Sequence, residues 1–455
     1  MIGRVVAPVM AVVVALVGVA PPASGQVGSP AGPVPVERLV ERRAGLAKRL
    51  GDGVALLRSA DSRDIEGDYP QDSDYREDND FFYLTGLEAP GGWLVLVARG
   101  GELAEAVLYL PPRDPAQERW TGPQLGPGPE AAALTGVREV RGVDQLAADL
   151  RARFSQGGGT LFVKGSDRRF CARLEAVKGD CRGLPGGGQV GGADGVVQDL
   201  RPYLAAQRLV KDAEELRRLR RAIEITTEAQ RAAMAAVAPG LWEYELEALI
   251  EYTFRRRGAE RVGFPSIVGS GPNATILHYD KNRRQTQDGD LVVVDIGAEY
   301  GYLTADVTRT IPVSGKFTPR QRALYDLVLG AQEAAIAAVR PGVTIAELTR
   351  IARAYMRDNS GDLCGPESCE RYFVHGLSHW LGMDVHDVGD YATPLAPGMV
   401  ITIEPGIYIP EEAIGIRIED DILVTASGGE ILSAGAPRRA ADIEKLMAEG
   451  RRPLP

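Results

Sequence analysis

Histidine is the scarcest residue in this chain that could bind a metal or move a proton. Only four of the 455 residues are histidine, and three of them, His375, His379 and His386, lie within one 12-residue segment. A single histidine is more often structural than functional, but a neutral imidazole is also a common metal ligand. Three histidines so close together therefore predict a functional site. The fourth, His278, lies in the same C-terminal part of the chain.

The spacing of His375 and His379 would place both on one face of a helix, as in the H-E-x-x-H motif of zinc proteases. No glutamate follows His375 here, and Gly376 and Gly382 disfavour a helix. The segment therefore does not reproduce that motif, and we interpret it together with the carboxylates around it.

Two aspartates lie in an apolar segment with the pattern of a β-hairpin. Asp295 follows three valines, and a turn at 300–301 would place Asp295 directly opposite Asp306. Like charges at such positions are destabilising, and a carboxylate in apolar surroundings is costly without a counter-charge. A bound cation would resolve both problems. The alternative is a pair of solvated carboxylates.

The same arrangement recurs downstream, where a turn at 411–412 would place Glu404 opposite Glu419. Nearby prolines and a glycine allow bulges that would shift this pairing. Two hairpins with acidic pairs predict two halves of one cation site. Carboxylates and imidazoles can hold two divalent ions roughly 3.5–4 Å apart, and hard oxygen donors favour Mn²⁺ or a similar ion. Because such ions lower the pKa of bound water to about 7, the predicted reaction is hydrolysis of a polarised carbonyl.

Composition and patterning predict an ordered protein of two or three domains. The residues are 44% hydrophobic and 25% charged, which excludes global disorder, and the net charge of −10 argues against a nucleic-acid partner. An α/β domain is predicted first, with a helix at 36–50 and strands at 54–57, 81–84, 93–97, 106–110 and 160–163. After a boundary near residue 205, helices are predicted at 215–238, 242–257, 319–339 and 345–359.

The N-terminus has the pattern of an export signal. Arg4 precedes an apolar run at 5–20, and small residues at 23–25 offer a cleavage site. An uncleaved anchor is the alternative, but the run is shorter than the roughly 20 residues of a spanning helix. We therefore predict a periplasmic or extracellular protein with no membrane association after cleavage. Its cysteines would then form two local disulfides, Cys171 with Cys181 and Cys364 with Cys369, the alternative being buried free thiols.

At these residues the chain resembles a known family. Residues 209–447 resemble the pita-bread metallopeptidases, and specifically the aminopeptidase P (Xaa-Pro aminopeptidase) family. The most specific motifs are His375-Gly-Leu-Ser-His-Trp-Leu-Gly, Asp384-Val-His-Asp-Val and Gly415-Ile-Arg-Ile-Glu-Asp-Asp. A weaker resemblance covers the N-terminal domain, from Arg76-Glu-Asp-Asn-Asp-Phe-Phe-Tyr to Trp120.

The resemblance implies a dimetal site with five ligands and further groups around the substrate. Asp295 would bind one ion, Asp306 and Glu419 would bridge both, and His379 and Glu404 would complete the other. Glu404 would also be the proton shuttle. The remaining implied roles are substrate and intermediate binding by His278 and His386, a border of the proline pocket by His375, orientation of a carboxylate ligand by Arg417, and contact with a neighbouring subunit by Trp120.

The implied fold class is α/β (α+β), with a signal peptide at 1–25, an N-terminal aminopeptidase P-like domain at 34–205 and a pseudo-symmetric pita-bread domain at 206–449. The implied cofactors are two divalent ions, Mn²⁺ with Zn²⁺ or Co²⁺ as alternatives. The implied substrates are peptides with proline in the second position, cleaved by a metal-bridging hydroxide in a homodimer or homotetramer. The chain departs from cytoplasmic members in a short, cysteine-containing segment before His375 and a compact loop between Glu404 and Glu419.

Two other functions remain open from the sequence. An Xaa-Pro dipeptidase (prolidase) would share the fold and all five ligands, and differs in refusing longer peptides. An inactive peptide-binding relative would have lost metal ligands, whereas all five positions are intact here.

Overall fold

The computed structural model describes residues 29–61, 75–155, 159–165 and 196–450. The predicted signal peptide and the predicted pair of Cys171 and Cys181 lie outside these residues. Within the described ranges, none of the helices is both long enough and apolar enough to span a bilayer.

The N-terminal part is built on a six-stranded mixed sheet between helices. Its strands are β1 (Gly53–Arg58), β2 (Trp93–Arg99), β3 (Glu102–Leu110), β4 (Glu139–Gly142), β5 (Thr160–Val163) and β6 (Val196–Asp199), in the order β4-β3-β2-β1-β5-β6. Its helices are α1 (Val36–Leu50), α2 (Asn79–Thr85), α3 (Glu118–Thr121), α4 (Pro129–Thr135) and α5 (Leu146–Phe154). Successive strand residues face opposite sides, so Ala55 and Leu57 join the core that contains α1 residues, whereas Val54 and Leu56 join the core that contains α5 residues.

The prediction of a strand at 81–84 is wrong, because these residues lie in α2. The Asp78 side chain accepts hydrogen bonds from the backbone N–H groups of Asp80 and Phe81, both at 3.0 Å, and so caps the helix. Gly86 ends it in the left-handed conformation with φ 69°. A continuous apolar run fits either a buried strand or a buried helix, and here the flanking cap residues decide.

The C-terminal part places long helices over two hairpins. The helices are α6 (Arg201–Arg208), α7 (Ala213–Ala236), α8 (Glu243–Arg256), α9 (Pro319–Ala338), α10 (Ile345–Asn359) and α11 (Ala440–Gly450). The strands are β7 (Arg261–Val262), β8 (Ile267–Ser270), β9 (Leu291–Ile296), β10 (Ala298–Tyr300), β11 (Leu303–Thr304), β12 (Val307–Pro312), β13 (Val400–Ile403), β14 (Gly406–Ile409), β15 (Ile414–Arg417), β16 (Asp420–Val424) and β17 (Gly429–Ile431). They form sheets in the orders β11-β10-β7, β12-β9-β8, β13-β16-β17 and β14-β15. The predicted helices are confirmed to within two residues at each end, and the predicted boundary near residue 205 lies within α6.

The first hairpin has a register different from the predicted one. Asp295 pairs with Thr308, so the predicted pairing of Asp295 with Asp306 is wrong by two residues. The two-residue turn is Gly301-Tyr302, and both have positive φ, 57° and 72°, as tight hairpin turns of the mirror-image type require. Because a shift of two residues preserves the face, Asp295 and Asp306 still point to the same side.

The second hairpin has the predicted register. Gly406 pairs with Arg417 in one ladder and Ile403 with Asp420 in the next, which is the alignment that a turn at 411–412 produces. Glu404 and Glu419 lie between these two ladders. Their side chains are therefore presented where the hairpin changes from one small sheet to the other.

Two fully buried glutamines, one on α7 and one on α9, tie the hairpins to the helices in matching ways. Each amide nitrogen donates hydrogen bonds of 2.7–3.1 Å to two carbonyls of one hairpin: Gln230 to Val294 and Val307, Gln332 to Ile403 and Ile418. Each carbonyl belongs to a residue next to one of the four predicted carboxylate ligands. The helices thereby fix the backbone at the points where these carboxylates emerge.

Gly297 lies between β9 and β10, where one arm of the first hairpin comes very close to the other. A Cβ atom at this position would lie 1.8 Å from the Ala305 carbonyl oxygen and 2.7 Å from the Phe264 ring. We predict that Gly297→Ala lowers the free energy of unfolding by about 3 kcal/mol or more, because the backbone would have to separate. Gly376→Ala is the control, since a Cβ there meets nothing within 4 Å. Thermal unfolding of both variants measures the difference, and equal stability would show that the close approach is unimportant.

Candidate metal centre

Three predicted ligands converge in the buried space between the hairpins. Asp306, His379 and Glu419 each offer a ligand atom within 4.8 Å of the others, and all three are buried. His379 Nε2 lies 3.3 Å from Asp306 Oδ2 and 3.7 Å from Glu404 Oε1. The structure thus brings together Glu404, which follows β13, Glu419, which precedes β16, and Asp306 of the first hairpin.

The histidine segment is extended rather than helical, so the helical alternative is wrong. It runs beside β13, with Thr402 N–H donating to His379 O (3.1 Å) and Glu404 N–H donating to Leu377 O (2.9 Å). In an extended chain, residues four apart also share a face. His375 and His379 accordingly approach Glu404 from the same side, and His375 Nδ1 lies 3.6 Å from Glu404 Oε2.

The tautomer of His379 suits a metal ligand. Its Nδ1 lies 3.1 Å from the Trp380 carbonyl oxygen, to which it can donate, and this leaves the lone pair of Nε2 directed at the carboxylates. Burial and the nearby His386 lower the pKa of His379 to about 4, so the ring is neutral. A lone pair that faces charged carboxylate oxygens is unfavourable, and a cation bound between them would remove this repulsion.

Arg417 joins the two hairpins across the site. Its Nη2 donates to Asp295 Oδ2 at 2.7 Å, and its Nε donates to the Thr308 hydroxyl at 3.2 Å. The Thr308 hydroxyl in turn donates to Glu419 Oε2 at 2.6 Å. A third contact runs from Arg417 Nη1 to the Tyr408 hydroxyl at 2.9 Å. One guanidinium therefore orients Asp295 directly and Glu419 through a hydroxyl.

The carboxylates are too close to remain charged together without a counter-ion. Burial and the charges of Glu419 and Asp295 raise the pKa of Asp306 well above its ordinary value. Burial and the charges of Glu404 and Asp295 do the same to Glu419. Burial raises the pKa of Glu404 to about 8, although the Arg417 guanidinium acts in the opposite direction. One arginine does not neutralise four acids.

The donor set fits divalent metal ions. Asp295 Oδ1 and Asp306 Oδ1 are buried and form no hydrogen bond with the described residues. Buried polar atoms normally have a partner, and a cation at the cluster would supply it. Oxygen donors with one neutral imidazole are typical of Mn²⁺, Zn²⁺ and similar ions.

The other predicted residues surround this centre. The His386 ring lies 4.1 Å from the His379 ring between centroids, and the His386 side chain is exposed. Burial and the charge of His278 lower the pKa of His386, which places His278 on the same side. His375 Nε2 lies 2.9 Å from the Tyr408 hydroxyl. Trp120 is 70% exposed on the N-terminal part.

Comparison with known proteins agrees with this arrangement. The family model for metallopeptidase family M24 matches residues 217–426, and the model for the aminopeptidase P N-terminal domain matches residues 39–162. The Xaa-Pro aminopeptidase of Escherichia coli (strain K12) is 38% identical over 445 residues, covering 90% of this chain and 97% of that protein. This chain belongs to the aminopeptidase P family. As an M24 metallopeptidase it is a metal-dependent hydrolase.

Solved structures of the family have the same fold. Proline aminopeptidase P II from Yersinia pestis is 38% identical, with a TM-score of 0.80, over 91% of this chain and 100% of that one. Zinc-substituted aminopeptidase P from E. coli in complex with product is 35% identical, with a TM-score of 0.82, over 92% of this chain and 100% of that one. The α/β (α+β) fold, with its N-terminal domain and pita-bread domain, is thereby confirmed.

Several residues of this aminopeptidase P site escaped the sequence analysis. Thr308 and Tyr408 connect Arg417 to the cluster, and Asp421 Oδ2 accepts a hydrogen bond from Asp306 N–H at 3.2 Å. The signal for Asp421 was present, since it follows Glu419 in an acidic run within an otherwise apolar strand. Thr308 begins a segment, Thr308-Arg-Thr, that resembles the family, but its role in the site depends on the register that was predicted incorrectly.

Removal of metal should make stability depend on pH in a defined direction. A glutamate has a pKa of about 4.3 when unfolded, so with its folded pKa raised to about 8 Glu404 binds more protons in the folded state between these values. Its contribution to stability is present at low pH and is lost as pH rises through about 8. We predict that the melting temperature of chelator-treated protein falls from about pH 7 to about pH 9.

Above about pH 7 the lowered pKa values of His375 and His379 have no opposing effect, because an unfolded histidine is already mostly neutral there. Added Mn²⁺ or Zn²⁺ should raise the melting temperature most at the high-pH end. Glu404→Gln is the control and should show a flatter profile. A metal-free wild-type profile that is flat or rises with pH would contradict the account.

Proposed function

We propose that this chain is an exported Xaa-Pro aminopeptidase, which releases the first residue of peptides with proline in the second position and uses two divalent metal ions. Mn²⁺ is the expected ion, with Zn²⁺ and Co²⁺ as alternatives. The observation that carries the proposal is the convergence of Asp306, His379 and Glu419 at a point where two buried aspartate oxygens form no hydrogen bond with any described residue. Relatives that match about nine tenths of this chain are Xaa-Pro aminopeptidases, and they are the basis for the proposed proline specificity.

Divalent ions at this cluster would polarise the scissile carbonyl and supply a nucleophilic water at neutral pH. The protein's own groups provide the rest. Glu404, whose Oε1 lies 3.7 Å from His379 Nε2 in the cluster, is placed to accept a proton from that water and to deliver it to the leaving proline nitrogen. His278 and His386, exposed beside the cluster, are placed to donate hydrogen bonds to the substrate and the tetrahedral intermediate.

Aromatic rings border the expected proline position, and an open cavity lies next to them. His375 packs edge-on against Phe373, with ring centroids 5.0 Å apart, and contacts Tyr408, which gives the expected proline position a wall of rings. An open cavity of about 480 Å³ adjoins this wall and is lined in part by Phe373, Val374 and Arg353.

Export and assembly are further parts of the proposal. The predicted signal at 1–25 is the basis for a periplasmic or extracellular location. The disulfide bond between Cys364 and Cys369 suits an oxidising compartment. A homodimer or homotetramer is proposed because the exposed Trp120 resembles a family residue that reaches a neighbouring subunit.

A substrate series tests the proposed specificity. We expect release of the first residue from Xaa-Pro-Yaa and longer peptides, and little release from Xaa-Ala-Yaa peptides of the same length. Mass spectrometry of the products after loading with Mn²⁺ measures both. Cleavage of Xaa-Pro dipeptides alone would identify a prolidase, and no cleavage of any of these peptides would identify an inactive relative.

Ligand substitutions test the metal centre. Asp306→Ala and His379→Ala should each abolish hydrolysis and reduce bound metal, because each removes a donor from the cluster, while the fold stays largely intact. Asp358→Ala, which removes a mostly exposed carboxylate, is the control and should leave both properties unchanged. Peptide turnover and metal content by mass spectrometry are the measurements, and wild-type turnover in either ligand variant would overturn the assignment.

A further inference from the structure

A buried ion cluster joins the N-terminal domain to the segment that carries His386. Arg208, at the end of α6, is 2% exposed and lies at its centre. Its Nη1 donates to Asp80 Oδ1 of α2 at 2.7 Å, and its Nη2 donates to Asp387 Oδ1 at 2.6 Å. One guanidinium therefore bridges a carboxylate of the N-terminal domain and a carboxylate next to His386.

Two lysines complete the cluster. Lys211 Nζ donates to Asp387 Oδ2 and to the Arg208 carbonyl, both at 3.0 Å. Lys164 Nζ lies 2.7 Å from Asp80 Oδ2. Burial alone would raise the pKa values of Asp80 and Asp387, but the neighbouring cations lower both below their ordinary values. Both carboxylates are therefore charged at neutral pH.

Stability alone is a poor reason for this cluster. The free-energy cost of desolvating buried ions is about as large as the gain from their mutual attraction. Replacement of such pairs by apolar residues is therefore often neutral or stabilising. A charged cluster does, however, fix geometry, because its members cannot move apart without exposing an unpaired buried charge. Its location beside the active site indicates what it positions.

The backbone around His386 is held by this cluster. Asp387 N–H donates to the Trp380 carbonyl at 2.8 Å, and Trp380 directly follows the ligand His379. A Cβ at Gly382 would lie 2.1 Å from Asp387 Oδ2, so the Asp387 carboxylate packs directly against the backbone of Gly382. None of the described residues forms a hydrogen bond with the His386 ring. The orientation of that ring therefore depends on its packing against the His379 ring and on where Asp387 holds the backbone.

The N-terminal domain also contacts the segment before His386 at a second point. Arg76 Nη2 donates to the Met383 carbonyl at 2.8 Å, while Arg76 Nε donates to Glu299 Oε2 at the same distance. The segment from 383 to 387 is thus held at Met383 by Arg76 directly and at Asp387 by Asp80 through Arg208.

We propose that Asp80 of the N-terminal domain is a positioning residue for His386 and acts through Arg208 and Asp387. The N-terminal domain thereby contributes to the chemistry without touching the substrate. This inference rests on the proposed function, because the role of His386 in binding the tetrahedral intermediate belongs to it. If that hydrogen bond forms mainly in the transition state, loss of its geometry reduces kcat rather than raising KM.

The test is a double-mutant cycle between Asp80→Asn and His386→Ala in the full-length, Mn²⁺-loaded protein. Asp80→Asn should lower kcat on an Xaa-Pro-Yaa peptide about 10- to 100-fold, as small displacements of catalytic groups do, and leave KM within about twofold. In the His386→Ala background the same change should have almost no further effect on kcat. Arg208→Lys, which keeps the charge but reaches one carboxylate at a time, should give an intermediate loss.

Arg42→Gln is the matched control. Arg42 is also a buried arginine between the domains. Its guanidinium donates hydrogen bonds to Asp212, at 2.8 Å, and to the Tyr83 carbonyl, and neither of these residues belongs to the His386 segment. It should lower the melting temperature and leave kcat within about twofold. Bound metal, measured for every variant, should stay unchanged.

A second readout does not depend on turnover. With only four histidines in the chain, ¹³C-labelled histidine rings of the Zn²⁺-loaded protein give few NMR signals, and His386→Ala identifies one of them. Asp80→Asn should shift or broaden that signal, whereas Arg42→Gln should not. Normal kcat and an unchanged His386 signal in Asp80→Asn would overturn the inference, as would a kcat loss that multiplies with that of His386→Ala. Absence of turnover in the wild-type protein would instead count against the proposed function.

Discussion

Mutual repulsion among buried carboxylates is the constraint on which the rest of this structure depends. Asp295, Asp306, Glu404 and Glu419 are carried by two hairpins that meet in an apolar interior, and Arg417 donates a hydrogen bond to Asp295 of this group. Charges in such surroundings cost free energy unless they are paired. The fold keeps them together by attaching their backbones to long helices, and bound divalent cations would remove the repulsion.

The hairpins tolerate this arrangement because their geometry is fixed from outside. Gln230 and Gln332 hold the backbone beside the carboxylates from two different helices, in corresponding positions of the two halves. Arg417 and Thr308 link the halves from inside the site. A polar network of this kind specifies one arrangement because each member leaves a buried unsatisfied group if it moves. The metal site is therefore largely preorganised by the protein.

Sequence reasoning succeeded where the signal was local. Three histidines within 12 residues and acidic residues in apolar strands were sufficient to select His375, His379, Asp295 and Glu404 as candidates. It failed at the first hairpin because the position of the turn depends on the positive φ of Tyr302, a conformation that is uncommon for a tyrosine. It failed at 81–84 because an apolar run alone does not distinguish a helix from a strand.

Long-range contacts were beyond sequence reasoning for a different reason. Arg208 is separated from Asp80 by 128 positions and from Asp387 by 179, so no spacing rule links them. Their pairing follows from how the two domains pack, which a single sequence does not reveal.

The most direct test of the account is a calorimetric titration of Mn²⁺ into the metal-free protein near pH 7, repeated in buffers of different ionisation enthalpy. Such a set counts both the ions bound and the protons released. The proposed dimetal centre predicts two ions per chain. Because the pKa values of Asp306, Glu419 and Glu404 are raised in the empty cluster, we also expect a net release of protons. Binding without proton release, or no binding at all, would contradict the claim that cations neutralise these buried carboxylates.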